Sequence, residues 1–336
     1  MTQTVTLSGS SISFSVDENE SILSAAKRQS LNLPHSCQNG ICGQCKAEVM
    51  SGNAVQEGHA EQALTAEEQA AGKILMCCST AQSDLVLNIP GFDADTPPVR
   101  TLPARVNSVD CIHDVAIVTL ALPKAPPFSF YSGQYIDILL KNNHIRSYSI
   151  ASPASRPDTL ELHIRRRENG LFSNMLFGES PVVKTGAVMR IRAPLGSFTL
   201  RKNSSAPLLL LATGTGFAPI KSILQHLVEH DSRRDVHFYW GARYEADIYQ
   251  ADVAAELVSR LPNGRFTQVL SRPHDGWQGK TGYIQHHILA DYPDLSAHEV
   301  YACGSPAMIE AVQQQCENRQ NLPRESFFSD AFSPSH

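Results

Sequence analysis

Three cysteines fall within one short loop, Cys37-Gln-Asn-Gly-Ile-Cys42-Gly-Gln-Cys45, and a fourth, Cys77, follows after a gap of 31 residues. No other feature narrows the fold as much, because C-x4-C-x2-C…C is the spacing with which four thiolates hold a [2Fe–2S] cluster. Such a site needs a tight loop carrying three ligands and a distant segment brought back to supply the fourth. Gly40 and Gly43 suit that loop, since a residue without Cβ lets the backbone take positive φ and pass close to a cluster. Amide N–H groups freed by the loop can then point at the sulfurs. Two other readings of these cysteines are weaker. Disulfides belong to exported chains, and structural zinc sites usually pair two short C-x2-C knuckles. Cys78 is a rival for the fourth position; Cys77 is preferred because it directly follows the apolar run Ile74-Leu75-Met76.

A chain of 336 residues should form two or three domains. The net charge of −5, with no long basic run, argues against nucleic acid as the main partner. Met1-Thr-Gln-Thr-Val-Thr-Leu shows no basic stretch followed by an apolar core, so no export signal is expected. No uncharged apolar run approaches the ~18 residues of a membrane helix. Eight cysteines without an export signal fit a reducing, cytoplasmic location. Cys111, Cys303 and Cys316 read by default as small, mostly buried hydrophobes.

The pattern changes character twice. In the first part, Thr4–Leu7 and Ile12–Val16 read as a hairpin, 21–29 as a short helix, and Lys46–Met50 and Asp84–Ile89 as strands flanking the cysteine loop. The aperiodic stretch from Pro90 to Pro98 marks a boundary. Short strands then dominate at 104–109, 115–120, 135–140, 147–150, 160–165 and 188–192, with one helix near 173–177; an antiparallel barrel is the simplest solution. After Lys202-Asn-Ser-Ser the pattern alternates strand and helix, and Leu208–Ala212 is wholly apolar, as a strand covered on both faces must be. The reading is therefore multidomain, α+β then all-β then α/β, with domains at 1–92, 100–202 and 203–336 and the last a doubly wound parallel sheet.

Two motifs point to nucleotides. Leu208–Ala212 runs into Thr213-Gly214-Thr215-Gly216-Phe-Ala-Pro219 and then a helix. Free N–H groups at such a helix start favour a pyrophosphate. A later strand ends at Cys303-Gly304, on the edge where ligands of open α/β sheets sit. In the barrel region, Arg146-Ser-Tyr148-Ser149 offers a guanidinium for phosphate, a ring to stack on a flat heterocycle, and a hydroxyl for a ring nitrogen. Gly170-Leu-Phe172-Ser173 opens a helix and offers a second phosphate seat.

Together with Pro194-Leu-Gly-Ser-Phe198, these motifs resemble the ferredoxin–NADP+ reductase superfamily, in the form that carries an N-terminal plant-type ferredoxin domain. The resemblance implies a β-grasp ferredoxin domain, an FAD-binding β-barrel and an NAD(P)H-binding sheet. It implies that Cys37, Cys42, Cys45 and Cys77 ligate the cluster. Arg146 would hold the FAD phosphate, Tyr148 would stack on the isoalloxazine, Ser149 would sit near its N5, and Gly170, Phe172 and Ser173 would bind the pyrophosphate. Thr213, Gly214, Thr215, Gly216 and Pro219 would receive the dinucleotide, with Cys303 and Gly304 beside the nicotinamide. Within the superfamily, the chain is similar to the reductases that donate electrons in 3,6-dideoxysugar synthesis. Related hydroxylase reductases end in Glu-x-Phe, whereas this chain has Asp330-Ala-Phe332, which keeps a carboxylate and an aromatic near the expected flavin. Ser149, Cys303 and Phe332 are the candidate catalytic residues.

The order implied is NADH to FAD, FAD to [2Fe–2S], and cluster to a partner protein. A hydride brings two electrons and the cluster accepts one, so a flavin is needed between them. Plant-type clusters lie near about −400 mV, and the value here should be higher if flavin is to reduce it. The expected acceptor is a pyridoxamine-phosphate-dependent sugar dehydratase, the alternative an oxygenase component. A sensing module with a vestigial reductase half and a free-flavin reductase are weaker alternatives. NADH is the expected donor; Arg243 and Arg272, just after sheet strands, keep NADPH as the alternative.

Overall fold

The computed structural model describes residues 2–35, 37–90, 92 and 96–332, so part of the sequence boundary at Pro90–Pro98 lies outside the described residues. The chain divides into two compact units: Met1–Arg100 with Pro194–Ser197, and Thr101–Ala193 with Phe198–His336.

The first unit runs β1 (Gln3–Leu7), β2 (Ser13–Val16), α1 (Ile22–Arg28), β3 (Lys46–Ser51), β4 (Ala54–Gln56), α2 (Ala66–Ala70), β5 (Lys73–Leu75), β6 (Ser79–Ala81) and β7 (Leu85–Asn88). Its sheet has the order β2-β1-β7-β3-β5, with β1 and β7 parallel and the other pairs antiparallel. This is the β-grasp arrangement, a mixed sheet holding one main helix. Ser21 caps α1 by accepting from Ser24 N at 3.2 Å. The helix buries Ile22, Leu23, Ala25 and Ala26 against Val5, Phe14, Leu75 and Met76. The expected hairpin, helix and flanking strands are present. Strands β4, β5 and β6 and helix α2 are additions that sequence periodicity did not reveal, each being three to five residues long.

The second unit opens with β8 (Arg100–Ile112), β9 (Val115–Ala121), β10 (Tyr135–Leu139), β11 (Ile145–Ser149), β12 (Thr159–Arg165), α3 (Leu171–Phe177) and β13 (Val188–Leu195). The sheet order is β11-β10-β13-β8-β9-β12, and a bridge between Ile150 and Leu162 closes it into the expected barrel. Strand β9 belongs to two cores at once. Ala116, Val118 and Leu120 point into the barrel core, while alternate residues Val115 and Ile117 belong to a second core that contains Leu208, Phe217 and Trp240.

The rest comprises β14 (Leu208–Thr213), α4 (Phe217–Glu229), β15 (Val236–Ala242), α5 (Ala251–Ser259), β16 (Gly264–Leu270), β17 (Lys280–Thr281), α6 (Ile284–Asp291), β18 (Glu299–Gly304), α7 (Pro306–Arg319) and β19 (Phe327–Ala331). All pairings are parallel, in the order β17-β16-β15-β14-β18-β19. The apolar run of β14 is covered on both faces, as expected. Leu208 and Leu210 pack with α4 and α5, and Leu209 and Leu211 pack with α6 and α7. The chain leaves β14 toward β15 on one side and returns to β18 on the other. The order in which strands are added therefore reverses between β14 and β18, which is where open α/β sheets form their ligand crevice.

Candidate functional site

The cysteine loop is built as the spacing requires. Gly40 and Gly43 stand at φ of 76° and 73°. A Cβ on Gly43 would lie 2.9 Å from the Ala63 carbonyl oxygen, so the loop admits no side chain there. The ligand candidates fall into pairs. Cys45 Sγ lies 3.2 Å from Cys77 Sγ, and Cys37 and Cys42 share a side-chain hydrogen bond. Among the described residues no three His, Cys, Asp or Glu side chains are grouped to hold one metal ion. Two thiol pairs are instead what a two-iron centre asks for.

The backbone fits an anionic cluster. Cys42 N–H donates to Cys37 Sγ at 3.3 Å. The Asn39 and Ile41 amides also point at that sulfur, the Gly40 amide at Cys77 and the Gln44 amide at Cys42. Cys37 is pulled down to about 5, chiefly by its bond from the Cys42 thiol and then, against its burial, by those amides. Cys42 and Cys77 are pushed up, first by the thiol each is bonded to and then by burial.

On the barrel, β11 carries Arg146-Ser-Tyr148-Ser149, and strand alternation gives the residues two faces. Ser147 Oγ donates to Asp137 Oδ1 on β10 at 2.7 Å, and Arg192 of β13 holds the other Asp137 oxygen at 2.6 Å. That buried carboxylate stitches three adjacent strands and fixes the motif. On the opposite face Arg146 and Tyr148 are half-buried, and the Tyr148 ring meets Phe172 of α3 at 5.6 Å between centroids. Burial pushes the Tyr148 phenol up to about 12, and Arg146 and Arg167 oppose the rise, which places both guanidinium groups near the ring. A half-exposed ring with two adjacent cations fits a flat heterocycle that bears phosphate. Ser173 Oγ accepts from Arg167 N at 2.7 Å, so it also shapes the loop before α3. Gly170 suits that position, because a Cβ would stand 3.0 Å from both Arg167 Cβ and Ser173 Cβ and would push on them.

The dinucleotide motif lies at the reversal point of the sheet. A Cβ on Gly216 would stand 2.3 Å from the Cys303 carbonyl oxygen, and one on Gly304, at φ 123°, would stand 2.4 Å from Thr213 Oγ1. The two strand ends therefore touch backbone to backbone. Thr213 Oγ1 accepts from Ser305 N at 2.9 Å, and Trp240 Nε1 donates to Gly214 O at 3.2 Å. Gly216 caps α4 without a side chain, so the start of the helix is not covered by a capping group, and the Phe217 amide donates back to Gly214 O and Thr215 O of the preceding turn. Pro219 lies inside the first turn of α4, where its missing N–H costs nothing.

The barrel and the sheet meet at Ser149, whose Oγ donates to Asp330 Oδ2 at 3.3 Å, both residues being buried. Asp330 pairs in register with Cys303 on β18. Cys303 is fully buried, and burial followed by the nearby Asp330 charge pushes its thiol far up, which favours the neutral form. Phe332 N donates to Gly304 O at 2.8 Å, holding the tail against the same strand end.

One buried group of polar side chains had no signal in the sequence. His163 is hydrogen-bonded to Tyr249 Oη at 2.6 Å and to Glu161 Oε1 at 2.6 Å, and Lys221 donates to the same Glu161 oxygen. The set joins β12 to α4 and to the segment before α5, directly beside Phe217 of the dinucleotide turn.

Comparison with known proteins agrees with this assembly. Residues 5–82 match the 2Fe-2S iron-sulfur cluster binding domain, 104–200 the oxidoreductase FAD-binding domain, and 210–314 the oxidoreductase NAD-binding domain. The chain is 39% identical over 337 residues to the CDP-6-deoxy-L-threo-D-glycero-4-hexulose-3-dehydrase reductase of Yersinia pestis, with both chains covered in full. It is 32% identical to the propane 2-monooxygenase reductase component of Gordonia sp. (strain TY-5), covering 96% of this chain and 94% of that one. Among solved structures, the Amycolatopsis cytochrome P450 reductase GcoB superposes with a TM-score of 0.80 at 31% identity over 99% of each chain. Among the described residues no helix is long and apolar enough to cross a membrane. The chain belongs to the iron–sulfur flavoprotein reductases of the ferredoxin–NADP+ reductase superfamily, oxidoreductases that pass electrons from NAD(P)H through FAD and a [2Fe–2S] cluster to a partner protein.

Proposed function

We propose that this reductase takes its electrons from NADH and delivers them to the dehydrase of CDP-3,6-dideoxysugar synthesis, where a Δ3,4-glucoseen intermediate held on pyridoxamine phosphate is reduced. The full-length identity of 39% to a reductase of that name, against 32% to an oxygenase reductase, supports the choice of partner. In this reading the modules span 1–92, 100–202 and 203–336.

The observation that carries the relay is the convergence of Ser149, Asp330 and Cys303, which brings the barrel's flavin motif and the dinucleotide strand end to one buried place. Bound FAD supplies the two-electron to one-electron conversion. Arg146 and Arg167 neutralise phosphate charge, Tyr148 and Phe172 offer ring surface, and Gly170 and Ser173 shape the loop beneath. The tight turn Thr213, Gly214, Thr215 and Gly216 at the start of α4 would receive the pyrophosphate, and Gly304 keeps the crevice floor flat. Cys303, backed by Asp330, excludes water from that floor, and Phe332 closes its rim. Cys37, Cys42, Cys45 and Cys77 hold the cluster, and the loop amides stabilise its charge.

Reconstitution tests this reading. The purified holoprotein is mixed with NADH or NADPH and either the dehydrase with its CDP-sugar or an oxygenase component. NADH oxidation coupled to deoxysugar product is expected; coupling only to the oxygenase, or a preference for NADPH, overturns it.

A further inference from the structure

Five thiols, not four, surround the cluster loop. Cys78 Sγ lies 3.5 Å from Cys77 Sγ and 2.8 Å from the point a Gly40 Cβ would occupy. The Gly40 amide itself points at Cys77, so the two sulfurs flank the same peptide. Cys78 therefore lies beside the Cys45–Cys77 pair. Its residue is half-buried and its carbonyl accepts from Glu57 N at 2.7 Å, which anchors the backbone that carries both thiols.

We infer that Cys78 is a second sulfur able to complete the ligand set, a standby iron ligand in place of Cys77. The inference rests on the ligand assignment proposed above. Both cysteines belong to one short helical turn, Met76–Cys78, and their sulfurs are only 3.5 Å apart, so rotation of the two side chains can bring one sulfur to the place of the other. The exchange is balanced without an oxidant or reductant. The iron–sulfur bond to Cys77 breaks, one to Cys78 forms, and the proton leaves the Cys78 thiol for the Cys77 thiolate. Gly40 makes the exchange sterically open, since any side chain there would collide with Cys78 Sγ.

Cysteine-to-alanine variants of the holoprotein test this, read by iron and sulfide content, visible circular dichroism and the electron paramagnetic resonance of the dithionite-reduced protein. Wild type should carry a full cluster; if it does not, the ligand assignment itself fails. Cys77→Ala should keep at least half the wild-type iron with shifted resonance lines, Cys78→Ala should match wild type, and the double variant should lose more than nine-tenths of its iron. Cys42→Ala, which has no neighbouring spare thiol, should lose its cluster while retaining flavin. Should Cys77→Ala be insoluble, Cys77→Val, which also offers iron no ligand atom, carries the same comparison. A flavin-replete Cys77 variant without iron overturns the inference, as does a double variant that keeps its cluster or a Cys78→Ala protein that lacks one.

Discussion

Ser149 Oγ donates to Asp330 Oδ2 across 3.3 Å, joining a barrel strand to the last strand of the parallel sheet over 181 residues of sequence. A hydrogen bond to a charged group is worth roughly 1.5–3 kcal/mol at best, and at 3.3 Å this one lies at or below the low end, enough to bias the two strands toward one relation. Asp330→Asn and Ser149→Ala should each slow NADH-dependent flavin reduction by about tenfold, which corresponds to roughly 1.4 kcal/mol. The double variant should be little slower than either single one, because residues in direct contact are not additive. Stopped-flow reduction of the four proteins checks this; additive losses would separate the two residues.

The close approach of Gly216 to Cys303 makes a sharp steric prediction. A methyl at Gly216 meets the Cys303 carbonyl oxygen at 2.3 Å, whereas one at Gly58 meets nothing within 4 Å. Overpacking of this kind costs about 1–3 kcal/mol. Gly216→Ala should lower thermal stability and raise the KM for NADH, while Gly58→Ala leaves both unchanged.

Cys303 should behave as a packing residue. Its thiol is buried and held protonated by that burial and by Asp330. Native protein treated with iodoacetamide at pH 8 should be labelled at the exposed Cys111 and not at Cys303, as peptide mass spectrometry will show. Cys303→Ala should retain measurable NADH-dependent dye reduction, since no covalent step requires the sulfur.

Acid should destabilise the second unit through His163 and Glu161. His163 is depressed below 6.5 by burial, with Lys221 adding to this and its bond to Glu161 opposing it. Between that value and its folded one, the unfolded chain binds the extra proton, so stability falls as pH falls. Glu161 pays its burial but is held down to about 2 by His163 and Lys221, so its contribution is present above 4.5 and is lost as pH falls toward 2. The melting temperature should therefore drop steadily below pH 6.5, and His163→Gln should flatten the upper part of that decline.

Much of this architecture could be read from residue patterns, and the exceptions have physical causes. The uniform apolar run Leu208–Leu211 announced a doubly covered strand, and both faces are occupied. The cysteine spacing announced the loop and the glycines that it needs. Helix α6 was hidden because only Ile284 and Ile288 face inward, too few for a visible period. Strand β19 was seen only as a motif in the tail, because a strand at the sheet edge with alternating Phe, Ser and Asp carries little apolar signal. The polar set of Glu161, His163, Lys221 and Tyr249 was invisible in principle: His163 and Tyr249 are 86 residues apart, and only tertiary packing joins them.

The central claim is that a flavin bound at Tyr148 passes electrons singly to iron held by the cysteine loop. Anaerobic mixing of the holoprotein with NADH, followed by rapid freezing and low-temperature paramagnetic resonance, tests it most directly. The account predicts that flavin absorbance falls first and that the signal of the reduced [2Fe–2S] cluster then grows at its expense. Full bleaching of the flavin with no iron–sulfur signal at any time would contradict it.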